Sequence, residues 1–184
     1  MTTEDISRML SISKNSAIVT ANRYVKAGLL SKLKRNIFLI ASKEKALSEE
    51  NLFEIANYLQ VPSYVSFGSA LSYYDLSTQQ QRFFVESAGL KRTASYHTDQ
   101  LSFTYTKLKK DFYSGFIRKE NRFIATPEKA LADVIYMVSI GRYSCDFDAI
   151  NFKKIDGEIM TALLQKTNRR ALSYWEQLCN NYDL

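Results

Sequence analysis

His97 is the one imidazole in a chain of 184 residues, and Cys145 and Cys179 are its two thiols. Together they could supply three zinc ligands at most, at spacings that match no zinc motif. The two thiols make no CxxC pair and no disulfide framework, which reads as reduced cysteines in a cytoplasm. A small hydrolase or transferase built on His97 with a serine or cysteine lacks a nucleophile motif, and Asp99 is its one acidic neighbour in sequence. GxxxxGK[ST], GxGxxG, GxSxG and HExxH are all absent. These residues predict no catalytic centre, no metal and no cofactor.

The cations offer more. The formal net charge is +6, and residues 1–45 hold nine basic side chains against three acids. The other 139 residues balance 16 basic against 16 acidic side chains, so the whole excess lies in the first quarter. A basic head on a neutral body suggests a module that binds a polyanion. The plainer alternative is a solvated surface that happens to be basic. A second basic zone, residues 91–122, carries eight cations against three acids: Lys91, Arg92, Lys107, Lys109, Lys110, Arg118, Lys119 and Arg122. It is either a partner surface or the solvation of strands and loops.

Positioning the first group needs two helices and a hairpin. Thr3 can cap a helix over Glu4 to Leu10, with acids in its first turn. Ser13 is the next cap, and Ala17, Ile18, Ala21, Tyr24 and Val25 make the apolar stripe of a second helix. Gly28 supplies its left-handed stop. Leu30 to Leu33 and Ile37 to Ile40 then read as strands about a turn at Lys34-Arg35-Asn36, where Asn36 tolerates positive φ. This order is that of a winged helix-turn-helix, whose second helix enters the DNA major groove. The helix would present Lys14, Asn15, Ser16, Thr20 and Arg23, and the wing Lys32, Lys34, Arg35 and Asn36. A winged helix used only for protein contact is the alternative. Such a fold usually has one more helix before Thr3. Here the start lies upstream, or another element, such as the helix at Glu49 to Leu59 or a second protomer, must cover the apolar face.

The body reads as helices, then strands, then helices: an α+β domain with a small antiparallel sheet. Ser48 caps a helix at Glu49 to Leu59 whose inner face is Leu52, Ile55, Ala56 and Leu59. Pro62 stops it, and a short helix follows from about Phe67 to Tyr74. After a turn from Gln79 to Gln81, strands are expected at Arg82 to Ser87 and Leu101 to Leu108, with short candidates at Phe112 to Ile117 and Arg122 to Ala125. Thr126-Pro127-Glu128 opens a helix through Val138, and two more lie near Asp156 to Lys166 and Asn168 to Asn180. The uncharged run from Ile55 to Tyr74 is long enough to cross a membrane, but its polar side chains argue against that. MTTEDISRML has acids and no apolar core, so no signal peptide is expected. The predicted division is a DNA-binding head at 1–45 and an α+β domain at 46–184.

Two blocks carry a family resemblance: Tyr64 to Leu76 (YVSFGSALSYYDL) and Ala125 to Tyr136 (ATPEKALADVIY). With the head before them, they resemble the AbiEi antitoxins of type IV toxin–antitoxin, or abortive-infection, systems. Gly68 and Asp75 depart from the family pattern. The resemblance implies a winged helix that binds inverted repeats in double-stranded DNA at its own promoter and represses the operon. Two copies on such a repeat would form a homodimer on DNA. It also implies that the C-terminal part counteracts a nucleotidyltransferase toxin, in many members without a stable complex. Lys107, Lys109, Lys110, Arg118 and Lys119 are the residues considered for that surface. Thr126, Pro127, Glu128, Lys129 and Asp133 are equally well explained as a capped helix docked on the sheet. The alternatives are a winged-helix regulator unrelated to toxins and an RNA-binding protein, given 12 Tyr and 11 Phe able to stack on bases.

Overall fold

The computed structural model describes residues 1–79 and 82–184. The turn expected over Gln79 to Gln81 therefore falls, at Gln80 and Gln81, outside the described residues. The chain opens with α1 (Thr3–Leu10), α2 (Lys14–Lys26) and a hairpin of β1 (Leu30–Lys34) and β2 (Ile37–Ile40). The cap of α1 is Thr2 rather than Thr3. Thr2 N–H donates to Asp5 Oδ2 at 2.7 Å and Asp5 N–H donates to Thr2 Oγ1 at 3.2 Å, so a capping box fixes the start one residue earlier. Ser13 caps α2, and Gly28, at φ 69°, lies just past its end. Ile6, Ala17, Ala21, Leu30 and Phe38 close a small core between these elements.

The hairpin has a second task. Its pairing register slips between Lys32 and Lys34. A slip of this kind turns the following side chain to the opposite face. Leu30 enters the small core, and Leu33, three residues on and so on the other face by ordinary alternation, is buried in the large one. One hairpin is a wall of both cores.

The large core is built on a six-stranded sheet, in the order β5-β6-β4-β3-β8-β7 among the described residues. The strands are β3 (Ser63–Val65), β4 (Phe84–Gly89), β5 (Ala94–His97), β6 (Ser102–Lys107), β7 (Phe116–Lys119) and β8 (Arg122–Ala125). The α+β class is observed, but the sheet is mixed, not antiparallel: β3 with β8 and β4 with β6 run parallel. β4 passes over one position to β5, and β6 returns into the gap beside β4. Two strands lay outside the sequence reading. β3 is three residues long and buried throughout, so it shows no alternation, and β5 is a short edge strand.

Three helices pack on the sheet, α3 (Glu49–Leu59), α4 (Phe67–Tyr73) and α5 (Pro127–Ser139), and α6 (Gly157–Leu164) and α7 (Arg169–Tyr182) pack on α5. In α3 the buried face includes Phe53, and Ile55 is only partly covered, because Phe53 packs on Tyr73 with ring centroids 5.7 Å apart. α3 is committed to the large sheet and does not cover the open face of the head. That face keeps Met9 72%, Leu29 57% and Ile40 42% exposed, and no residue of α3 lines its groove. No helix among the described residues is long and apolar enough to cross a membrane.

Beneath α5 lies a buried ion pair. Lys129 and Asp133 are 0% exposed and meet at 2.7 Å, one turn apart. Lys129 Nζ also donates to Phe112 O at 2.7 Å. Tyr64 Oη and Ser66 Oγ both donate to Asp133 Oδ2, at 3.0 and 2.6 Å. Burial pushes the Asp133 carboxyl up and the Lys129 ammonium down, and the pairing opposes both shifts. Gly115, at φ +75°, lies against the Lys129 stem, where an added Cβ would come within 3.1 Å of it.

Removing one partner of a buried pair costs about 3–5 kcal/mol, since the other charge is left without compensation. Lys129→Met should lower unfolding stability by about that much in urea titrations. Adding Asp133→Asn, which keeps an acceptor for Tyr64 and Ser66, should restore most of the loss. A double variant no more stable than the single one would assign the loss to packing rather than charge.

Candidate nucleic-acid interface

The small core sets which side of α2 faces outward. Ala17 and Ala21 are fully buried, so the opposite side carries Asn15, Ser16 and Arg23, all exposed. Val19, Asn22 and Lys26 share that side and are exposed as well. The sequence reading passed over these three, although they continue the stripe from Asn15 at i+4, i+7 and i+11. Two other expected positions lie at the flanks. Thr20 is half-buried. Lys14 stands beside α1, where its ammonium pairs with Glu4 Oε1 at 2.7 Å.

The expected wing set divides in the same way. Lys32 and Arg35 are exposed. Asn36, at φ 65°, turns back to the start of α1. Its Oδ1 accepts from Thr3 N–H at 2.8 Å and from the Thr3 hydroxyl, and its Nδ2 donates to Glu4 Oε2 at 2.8 Å. It satisfies a first-turn amide that the helix leaves free. Lys34 points into the body, donating to Leu59 O at 2.8 Å with its ammonium 5.3 Å from the Tyr96 ring centroid. Both are corrections to a four-residue tip. The register slip carries Lys34 inward, and the turn geometry brings the Asn36 amide over α1.

Lys34 also brings the two basic segments together. Arg92 Nη2 lies 3.5 Å from Tyr96 Oη, so the hairpin tip and the loop after β4 share one tyrosine. Further along, Glu44 is 2% exposed and accepts from Thr98 Oγ1 at 2.6 Å, a second tie between the first 45 residues and the body. The remaining expected cations differ in setting. Lys107, Lys109, Lys110 and Arg118 are exposed. Lys119 is also exposed, but its ammonium donates to Tyr73 Oη at 2.6 Å and lies 5.0 Å from that ring's centroid. Arg122 is 5% exposed and pairs with Glu120 at 2.8 Å.

The groups that could support covalent chemistry stand apart. β3 turns into α4 through Phe67 at φ 53°, the strand–turn–helix geometry that raises a nucleophile in some hydrolases. Here the position holds a buried phenyl ring stacked on Tyr143 at 5.6 Å. Burial pushes the Cys145 thiol up to about 11, far from a thiolate at neutral pH. Among the described residues no three His, Cys, Asp or Glu side chains group as a metal site. Compared with models of known protein families and with curated proteins, the chain matches none.

Hydrogen bonds from Lys14 and Asn36 hold the Glu4 carboxyl down at about 2, against 4.5 ordinarily. A depressed folded value means that the link stabilises the head above the ordinary value and is lost as pH falls toward about 2. Its titration, followed by carboxyl NMR, should show that midpoint, and Asn36→Ala should raise it. Asn36→Ala should also destabilise the chain by about 1–2 kcal/mol, from left-handed backbone strain and the lost cap. Asn36→Gly, which removes only the side-chain contacts, should fall between the two. A glycine variant as stable as the native chain would show that the amide contributes nothing.

Proposed function

We propose that the chain is a winged-helix DNA-binding protein. α2 is its major-groove helix, and the exposed cations of the hairpin, Lys32 and Arg35, are its wing. The observation that carries this reading is the outward side of α2: a polar and cationic stripe on the module that holds the entire charge excess. Asn15 and Arg23 have the chemistry for base edges, and Val19 for a thymine methyl. Lys32, Arg35 and Lys26 supply phosphate contacts that position without reading sequence. Arg92 and Lys91, beside the tip, extend the cationic surface onto the body. In this reading residues 1–45 are the DNA-binding unit, docked on the α+β domain of 46–184 through the shared hairpin.

The resemblance of the Tyr64 and Ala125 blocks to AbiEi antitoxins supports a narrower reading. The chain represses its own promoter at inverted repeats and counteracts a nucleotidyltransferase toxin, in the cytoplasm. The exposed cations Lys107, Lys109, Lys110 and Arg118 are the surface proposed for the second task. Lys119, held on Tyr73, is its weakest member.

Affinity for the chain's own upstream DNA should fall steeply with salt, with a log–log slope of about −0.9 per phosphate contact. Lys32→Ala with Arg35→Ala should make the slope shallower and weaken all sequences alike. Asn15→Ala or Arg23→Ala should lower discrimination, by roughly 1–3 kcal/mol where a bidentate contact is lost. Lys34→Ala should act mainly on stability, because its ammonium serves the body. A flat salt dependence would remove the electrostatic basis of the reading.

For the toxin, the check is growth on co-expression of the full chain with the nucleotidyltransferase encoded beside it. The native chain should relieve arrest, and glutamine at Lys107, Lys109, Lys110 and Arg118 should weaken the rescue. Full rescue by that variant would move the antitoxin surface elsewhere.

A further inference from the structure

Chain order scatters the second basic zone, and the sheet collects much of it. At one end of the sheet β4, β6 and β7 finish while β3 and β8 begin, since Gly89 pairs with both Lys107 and Ser63, and Lys119 pairs with Arg122. Lys91 and Arg92 follow β4, Lys107 closes β6, and Lys109 comes two residues later. All four side chains are exposed. They carry no acid among them.

Beside them lies a groove of about 540 Å³, between the last turn of α3, Val61-Pro62 and the β7–β8 hairpin. Its walls are aromatic. Tyr58 is 60% exposed and Phe123 40%, with Phe116 set edge-on to Phe123 at 6.1 Å. Phe116 is in turn stacked on the buried Tyr64 ring at 4.6 Å. Two contacts join groove and cations. Gln60, next to Val61, donates to Arg92 O at 2.9 Å. Arg118 is the cross-strand partner of Phe123.

The platform is held in place. Asn57 pairs with both backbone groups of Phe123, accepting from its N–H at 2.5 Å and donating to its carbonyl at 3.2 Å. Phe123 is therefore fixed with its ring in solvent, and ordering a partner against it costs little conformational entropy. Glu54 is the groove's one carboxylate among the described residues.

We propose that this groove and its cationic rim bind single-stranded nucleic acid, with bases stacked on Tyr58 and Phe123 and phosphates on Lys91, Arg92, Lys107 and Lys109. Every base offers a π-face, and a strand repeats its negative charge, which is the combination of stacking platform and basic track that such ligands need. A duplex keeps its bases inside the stack and cannot use the rings. A second copy meeting the groove through its own rim would set the same four cations against these. The site lies on the body: it shares Lys91 and Arg92 with the surface proposed for duplex DNA, and its rings, Lys107 and Lys109 are separate from the outward side of α2.

The test uses the full chain with fluorescently labelled 12-mers of oligouridylate and oligodeoxythymidylate, and a mixed-sequence duplex, read by anisotropy. Both single strands, or one of them, should bind, and the stronger arm identifies RNA or DNA as the source. Tyr58→Ala and Phe123→Ala should each weaken single-strand binding about tenfold and leave the duplex unchanged. Lys91→Gln with Lys107→Gln and Lys109→Gln should weaken it and make its salt dependence shallower. Arg23→Ala with Arg35→Ala should weaken the duplex and spare the single strand. The proposal is overturned if neither single strand binds, if the two ring variants bind as the native chain does, or if the α2 and hairpin variant loses both ligands together. It is also overturned if sedimentation shows a dimer that Tyr58→Ala dissolves, since a second copy would then occupy the groove.

Discussion

A lysine and an aspartate with no exposed surface constrain how the body is assembled. Charges removed from water cost several kcal/mol each, and that cost is offset only when every donor and acceptor is matched. Lys129 and Asp133 draw their partners from four elements at once: α5 supplies the pair, β3 the Tyr64 hydroxyl, the start of α4 Ser66, and the segment before β7 the Phe112 carbonyl, leaving Asp133 Oδ1 to the ion pair alone. Asp133 is the shared point of the two sequence blocks that resemble the antitoxin family. Tyr64 and Ser66 come from one block, Lys129 and Asp133 from the other. Their chemistry is spent on joining α5 to β3, and the pair is sealed from any substrate.

The hairpin plays the corresponding part at the other end of the molecule. Its two faces belong to different cores, and the head is attached through Leu33, Lys34 and the Glu44–Thr98 hydrogen bond. Lys34 and Arg92 approach the same tyrosine, so cations separated by an acidic stretch of sequence become neighbours. The charge map along the chain described two separate basic zones, and the fold places parts of both on one surface.

The open apolar face between α1, α2 and the hairpin has a simple physical origin. Two helices and two strands have too little apolar surface to enclose Met9, Leu29 and Ile40 along with Ile6 and Phe38. α3, the helix next in sequence, is held on the large sheet by Leu52, Phe53, Ala56 and Leu59.

What was legible in the sequence was local. Ser13 and Thr126 caps, the Gly28 stop, the Asn36 turn and the Pro127 start each act within a few residues, so their chemistry sets helix and hairpin ends wherever they occur. The charge excess of the head was equally plain, being a count. The start of α1 was legible to within one residue, since the cap expected at Thr3 is Thr2. Tertiary structure alone decided the rest. β3 is too short and too buried for alternation to reveal, and the parallel pairing of β4 with β6 depends on which gap β6 fills. The fate of Lys34 depends on a one-residue slip in the hairpin register, and that of the Asn36 amide on its contacts with Thr3 and Glu4. The groove at Tyr58 and Phe123 joins residues 65 positions apart through the amide of Asn57. Such outcomes rest on contacts between segments distant in sequence, and local composition has no physical means to specify them.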